Sequence, residues 1–142
     1  MSNLFKATLL LGCLLWQSAG LAGDTGWLTS PRNDHAKVRL QADRSTPDHT
    51  RILLEVALES GWKTYWRSPG DAGIPTTLDW SGSENVAAVA FLWPAPIRFT
   101  LFGLETYGYE QEVVFPLVVT PARPGEPVRL EAQVTYMVCE EV

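Results

Sequence analysis

Apolar and polar residues alternate in five short segments of this chain, a pattern typical of β-strands that bury one face. The segments are residues 38–42, 52–58, 86–92, 113–119 and 130–138. The stretches between them are rich in Ser, Pro, Gly and Asp, which favour turns. No segment shows a sustained helical period. We therefore predict an all-β fold, specifically an immunoglobulin-like β-sandwich.

Two longer segments do not follow this alternation, and they are where we expect functional residues. Residues 61–75 are dense in aromatic residues and then in turn formers. Residues 93–109 are predicted to form a long loop with apolar tips. A third irregularity is Pro116, which lacks a backbone donor and therefore predicts that its strand lies at a sheet edge or is bulged.

The N-terminal residues have the pattern of a secretory signal peptide. Lys6 supplies a positive charge, residues 7–16 form an apolar run, and residues 20–22 form a small-x-small cleavage site. The apolar run is shorter than the roughly 20 residues that span a bilayer. We expect residues 1–22 to be the signal peptide and residues 23–142 to form one exported domain.

The charge of the chain argues against a nucleic acid partner. The formal net charge is −5 at pH 7, and the basic residues are scattered instead of forming the positive stripe that nucleic acid binding requires. The sequence also lacks a serine or carboxylate constellation with a base at useful spacing, and it has no glycine-rich phosphate loop. Hydrolase and nucleotide-binding functions are therefore disfavoured.

Cys139 is the candidate catalytic residue. The chain has two cysteines, and Cys13 falls in the predicted signal peptide. In the alternating segment 130–138, Val138 belongs to the apolar face, so Cys139 should point away from the core. A single thiol on that face of an exported protein indicates either a redox site or a disulfide partner, while the alternative is a small residue buried under a loop.

Several motifs resemble the N-terminal periplasmic domain of the DsbD and ScsB family of membrane thiol-disulfide reductases. The resemblance runs from about His35 to the last residue. The motifs are Gly61-Trp62-Lys63-Thr64-Tyr65-Trp66-Arg67-Ser68-Pro69-Gly70-Asp71-Ala72-Gly73-Ile74-Pro75, Asp79-Trp80-Ser81-Gly82-Ser83-Glu84-Asn85, Trp93-Pro94-Ala95-Pro96, Gly108-Tyr109 and Val114-Phe115-Pro116-Leu117.

This resemblance implies a periplasmic immunoglobulin-like domain that acts as a protein-disulfide reductase module. Such a domain passes reducing equivalents from the membrane-embedded part of the same polypeptide to periplasmic thioredoxin-like and other disulfide proteins, and it uses no cofactor or metal. Its electron carrier is a pair of cysteines. The first corresponds to Cys139, and the second is expected at the position directly after Val142. With Cys139 alone, the domain can form a mixed disulfide but cannot cycle between dithiol and disulfide.

The resemblance also implies an aromatic cap that covers the cysteine pair and moves aside when a partner docks. The cap loop corresponds to residues 99–109. Phe102, followed by Gly103, is the best match to the cap aromatic, and Gly103 and Gly108 are candidate hinges. Phe99, Tyr107 and Tyr109 are the neighbouring candidates. The alternative is that these aromatic side chains complete the core.

Three other functions stay open at this point. A non-redox binding or chaperone-like sandwich would need no cysteine pair. A copper-handling module would use soft ligands, for which the candidates are His35, His49, Met137 and Cys139. A carbohydrate platform would use exposed rings, for which the candidates are Trp62, Tyr65, Trp66, Trp80 and Trp93, although inward packing in a sandwich accounts for them more simply.

Overall fold

Antiparallel strands account for all of the regular secondary structure in the part of the chain that the computed structural model describes, residues 2–10 and 23–140. The strands are β1 (Ser2–Leu10), β2 (Leu28–Ser30), β3 (Asn33–Ser45), β4 (Thr50–Leu58), β5 (Trp62–Gly70), β6 (Thr77–Asp79), β7 (Ala88–Phe91), β8 (Ile97–Leu101), β9 (Leu104–Glu110), β10 (Glu112–Thr120) and β11 (Arg129–Glu140).

The strands form two sheets that pack as a sandwich. One sheet has the order β2-β3-β4-β10-β7, and the other has the order β1-β11-β5-β9-β8, with β6 also paired to β11. The core lies between the sheets and is built from the alternate apolar residues of the predicted strands. Leu40, Leu54, Phe115, Leu130 and Val134 are all fully buried in it. The predicted immunoglobulin-like β-sandwich is therefore confirmed.

Both segments that broke the alternation contain strands, so the prediction of a long loop at residues 93–109 was wrong. Residues 62–65 at the start of β5 are all buried, and a strand that is covered on both faces shows no alternation. Residues 97–110 form the β8–β9 hairpin, not a long loop. Its turn consists of Phe102 and Gly103, both with positive φ (51° and 79°), where Asn-Gly is the usual signal.

Pro116 does not mark an edge strand, because β10 pairs with β4 on one side and β7 on the other. The register of β7 begins opposite Leu117, one residue further along β10. The carbonyl of Pro116 accepts a hydrogen bond from the backbone amide of Leu92. In an antiparallel strand the nitrogen and the carbonyl of one residue point to the same neighbouring strand, so the Pro116 nitrogen also faces the β7 side. The missing donor therefore lies at the end of the β7–β10 pairing and removes no hydrogen bond from within it.

The N-terminal strand β1 pairs antiparallel with β11, from Ser2 opposite Met137 to Leu10 opposite Arg129. The predicted signal peptide falls on this strand and on residues 11–22, which lie outside the described residues. Within residues 2–10 and 23–140, no helix is long and apolar enough to cross a membrane.

Candidate functional site

Cys139 lies near the end of β11, on the outer face of the sheet that contains β5. It is directly opposite Lys63 of β5, and Lys63 is opposite Glu110 of β9. The next row, Val138 with Thr64, points into the core. Paired residues in a sheet share a face, so Cys139 faces away from the core, as predicted. The side chain is a free thiol of intermediate exposure. We call this side of the sheet the thiol face.

Tyr65 is a neighbour of the thiol on the same face of the sheet. It lies on the thiol face, two residues along β5 from Lys63, yet it is only 1% exposed. Burial, and then the interaction of the phenol with Cys139, raises the pKa of Tyr65 above its ordinary value of 10.0. The hydroxyl therefore stays protonated beside the sulfur.

Gly73 explains how a tyrosine on an outer face becomes buried. Its backbone, at φ 98°, lies against the ring of Tyr65, and a Cβ at position 73 would come within 2.2 Å of ring carbons. The segment 71–76 that follows β5 therefore covers the ring and orients it. Only glycine leaves the space for this close approach.

Lys63 places a buried positive charge beside the thiol. Its ammonium is 2.9 Å from Oε2 of Glu110 and 5.3 Å from the centre of the Phe99 ring. Only 6% of the Lys63 side chain is exposed, whereas half of the Glu110 side chain is exposed. A buried ammonium needs such a partner, because its desolvation is costly when it is unpaired.

Gly108 makes the close packing of β5 and β9 possible at this point. It is opposite Tyr65 on β5 and Ile97 on β8. A Cβ on Gly108 would lie 1.9 Å from the carbonyl oxygen of Thr64. Glycine is therefore required at position 108, because any side chain there would push β9 away from β5.

The predicted cap residues divide between the two faces of the β8–β9 hairpin. Phe99 is on the thiol face, over Lys63. Phe102 and Gly103 form the turn, and the Phe102 side chain is 75% exposed, the largest value among the large apolar residues that are exposed. Phe99 is thus the cap candidate on the thiol face that lies against Lys63, the direct neighbour of Cys139.

Tyr107 and Tyr109 lie on the other face of the hairpin. Tyr109 is in the row of Thr64 and is part of the core. Its hydroxyl donates to the Pro94 carbonyl at 2.8 Å, and burial raises the pKa of Tyr109 to about 12. The Tyr107 hydroxyl donates to Glu105 at 2.6 Å. These contacts fit a structural role for both tyrosines.

The end of β11 also approaches an aromatic stack. His35 stacks on Trp62 at 4.0 Å between ring centres, with the planes 7° apart, and Trp62 is opposite Glu140. His35 Nδ1 is 2.7 Å from Glu59 Oε2. This hydrogen bond is the main cause that raises the pKa of His35 above 6.5, and the charges of Glu59, Asp34 and Glu140 act in the same direction.

The other two candidate chemistries are not assembled by the fold. Among residues 23–140, no three His, Cys, Asp or Glu side chains are grouped so that they could hold a metal ion. The five aromatic rings considered as a carbohydrate platform do not line up on the surface: Tyr65 is buried under Gly73, and the tryptophans pack in or against the core.

Sequence reasoning missed Tyr65 and Lys63 as site residues. Both are polar or amphipathic residues in a segment with no alternation, and they become neighbours of Cys139 only through the register of β5 with β11. The spacing of Lys63 and Tyr65, two residues apart, is the signal that could have placed them on one face once residues 62–70 are assigned to a strand.

The fold and the site together define an immunoglobulin-like β-sandwich with a free thiol on its outer surface. A sequence model of the family described as thiol:disulfide interchange protein DsbD, N-terminal, matches residues 31–142. This chain therefore belongs to that family, and it is a thiol-disulfide interchange domain.

A solved structure gives the same result. The crystal structure of the N-terminal periplasmic domain of ScsB from Proteus mirabilis is 42% identical to this chain, with a TM-score of 0.69. The match covers 84% of this chain and 46% of that chain, so it spans about half the length of the solved relative. No match was found among the curated proteins.

Proposed function

We propose that this domain transfers reducing equivalents to periplasmic proteins through Cys139. The observation that carries the proposal is the position of the thiol: it lies on an outer face, next to the buried hydroxyl of Tyr65, in a chain that belongs to a thiol-disulfide interchange family. A structural cysteine would be inert and enclosed, whereas an exchange thiol must be reachable by a second sulfur atom.

The exchange begins when the Cys139 thiolate attacks one sulfur of a partner disulfide. The partner's S–S bond breaks, a new S–S bond joins Cys139 to the attacked sulfur, and the displaced sulfur leaves as a thiolate that takes up a proton. The hydroxyl of Tyr65 holds the Cys139 sulfur by a hydrogen bond during the approach. This step consumes one thiol and one disulfide and yields one of each.

The complete relay needs a second cysteine, which we propose follows Val142 in the natural protein. Its thiolate would attack Cys139 in the mixed disulfide, release the reduced partner and leave an intramolecular disulfide. A membrane-embedded part of the same polypeptide would then reduce that disulfide. The partners in this scheme are thioredoxin-like and other periplasmic disulfide proteins, and residues 1–22 are the signal peptide that directs export.

We propose that the β8–β9 hairpin acts as the cap, with Phe99 closest to the sulfur. Phe99 is held over Lys63, the direct neighbour of Cys139. Phe102 would act further out, at the exposed turn.

The test uses a thioredoxin that keeps one active-site cysteine, charged as its mixed disulfide with thionitrobenzoate. Attack by Cys139 releases the coloured thionitrobenzoate ion and leaves the two proteins joined by a disulfide. We expect one equivalent to be released per chain, unchanged in Cys13→Ser and abolished in Cys139→Ser. Absence of release from the wild-type protein, with Cys139 still alkylated by iodoacetamide, would overturn the proposal.

A further inference from the structure

Most of the exposed large apolar side chains lie on the β8–β9 hairpin and on the segment that covers Tyr65. Six such residues are exposed between positions 23 and 140: Trp27, Ile74, Leu92, Ile97, Phe102 and Leu104. Ile97 and Leu104 are on the thiol face of the hairpin, Phe102 is in its turn, and Ile74 is in the covering segment. We call Ile74, Ile97, Phe102 and Leu104 the apolar patch.

The register places the patch relative to the sulfur. Ile97 lies in the row of Tyr65 and Gly108, which is two residues along the strands from the row of Cys139 and on the same face. Leu104 is on the same face of β9, six residues from Glu110. Ile74 follows Gly73, whose backbone covers the Tyr65 ring. The patch therefore extends from the segment over Tyr65 to the hairpin turn.

Two charged side chains of this face, Lys63 and Glu110, are paired with each other at 2.9 Å. The pair of Arg98 and Glu105 lies on the other face of the hairpin, because Arg98 is in the row of Tyr107. The thiol face therefore combines the exposed apolar side chains of the patch with charged side chains that are neutralised by each other. Clustered exposed apolar groups of this kind mark interaction sites, and an uncharged partner surface suits them because it leaves no charge desolvated and unpaired.

We propose that the apolar patch is the docking surface for one kind of substrate, a protein whose reactive disulfide is set in an apolar, uncharged surface. The proposal rests on the proposed function, since exchange requires the partner to bring its sulfur to Cys139 and therefore to cover this face. It adds a specificity: small charged disulfides, which cannot cover the patch, are poor substrates compared with protein disulfides.

The experiment compares two mixed disulfides with the same leaving group: the single-cysteine thioredoxin charged with thionitrobenzoate, and glutathione charged with thionitrobenzoate. The variants are Ile97→Thr and the double variant Ile74→Thr/Ile97→Thr, because threonine keeps the β-branch that suits a strand. Leu92→Thr is the matched control, since Leu92 is 47% exposed and Ile97 41%, but Leu92 directly follows β7 of the other sheet.

We expect the double variant to react about tenfold more slowly with the thioredoxin probe, because buried apolar anchors carry most of the affinity in such contacts, and at an unchanged rate with the glutathione probe. Leu92→Thr should leave both rates unchanged. The unchanged glutathione rate also shows that the site has folded.

Two outcomes overturn the inference, and they are distinguishable. If the wild-type protein reacts with both probes and the double variant matches it on both, the patch is not the docking surface while the proposed function stands. If the wild-type protein reacts with the glutathione probe but not with the thioredoxin probe, the relay to protein partners fails, and the docking surface fails with it.

Discussion

The outer faces of the two sheets differ in the apolar groups that they expose. On the β2-β3-β4-β10-β7 sheet, Arg39 is hydrogen-bonded to Glu55 from both Nε and a terminal nitrogen, and Trp27 lies under the Lys37 and Arg39 cations. Each face buries a charged residue, Glu55 on this sheet and Lys63 on the thiol face.

The apolar patch is the main difference between the two faces. The thiol face exposes Ile97 and Leu104 beside the buried Lys63 and Tyr65. Exposed apolar groups that lie together are typical of surfaces that contact another molecule. The patch therefore supports a docking role for the thiol face without reference to the cysteine itself.

The largest effect that we expect comes from Gly108→Ala, which tests whether the tight packing of the thiol face is required. The added Cβ would lie 1.9 Å from the Thr64 carbonyl oxygen, and backbone atoms cannot give way cheaply. We expect a loss of about 3 kcal/mol in the free energy of unfolding, measured by urea denaturation.

Gly82→Ala is the control for this loss. Its nearest neighbour is the carboxylate of Glu131 at 3.1 Å, the end of a flexible side chain. The loss there should be well below that of Gly108→Ala. Equal losses in the two variants would show that the β5–β9 contact is not specially tight.

Two substitutions of tyrosine by phenylalanine compare a hydroxyl that has a partner with a hydroxyl that has none. The Tyr65 hydroxyl interacts with Cys139, whereas the Tyr136 hydroxyl is buried in the core without a hydrogen-bond partner among the described residues. Tyr65→Phe should cost about 1 kcal/mol and slow the reaction of Cys139 with small disulfides, because a donor stabilises the attacking thiolate. Tyr136→Phe should be neutral or stabilising.

Urea denaturation and the rate of thionitrobenzoate release measure these two effects. A Tyr65→Phe protein with wild-type stability and a wild-type rate would mean that the hydroxyl does nothing for the sulfur.

Phe102→Asn tests whether the exposed phenylalanine at the hairpin turn contributes to docking of the partner protein. Phe102 has φ 51° and a side chain that is 75% exposed, so asparagine suits the turn better and gives up little burial. We expect a gain of about 0.5 kcal/mol in stability together with a slower reaction with the thioredoxin probe. If the variant gains stability and loses no rate, Phe102 is not part of the docking surface.

The smallest effect concerns pH and the stack at the end of β11. The pKa of His35 is raised in the folded state by Glu59. Protonated His35 therefore stabilises the fold fully below its ordinary pKa of 6.5, and this contribution is lost as the pH rises through the raised value. The wild-type protein should lose stability relative to His35→Gln as the pH rises from below 6.5 through the raised pKa. Parallel pH profiles of the two proteins would contradict this account.

The strands could be predicted from the sequence where one face of the strand is buried and the other is exposed. β3, β4, β10 and β11 have one buried and one solvated face, so their alternation could be recognised, and it placed Cys139 on the outer face. The same reasoning failed for β5, because Trp62, Lys63, Thr64 and Tyr65 are all buried and leave no period to detect.

The hairpin was missed for a related reason. A Phe-Gly pair is not the expected signal for a two-residue turn, and the apolar residues on β8 and β9 are exposed. The cap residues taken from the family resemblance then divided between the two faces, with Tyr109 in the core. Register between strands far apart in sequence brought Lys63 and Tyr65 to Cys139, and periodicity alone contains no information on that pairing.

The most direct test of the central claim is to locate the partner on the domain. The covalent complex between Cys139 and the single-cysteine thioredoxin can be examined by hydrogen–deuterium exchange, with the unmodified domain as reference. We predict added protection in segment 71–76 and along β8 and β9, and none along β3 and β4. Protection that falls on β3 and β4, with the thiol face unchanged, would contradict the account.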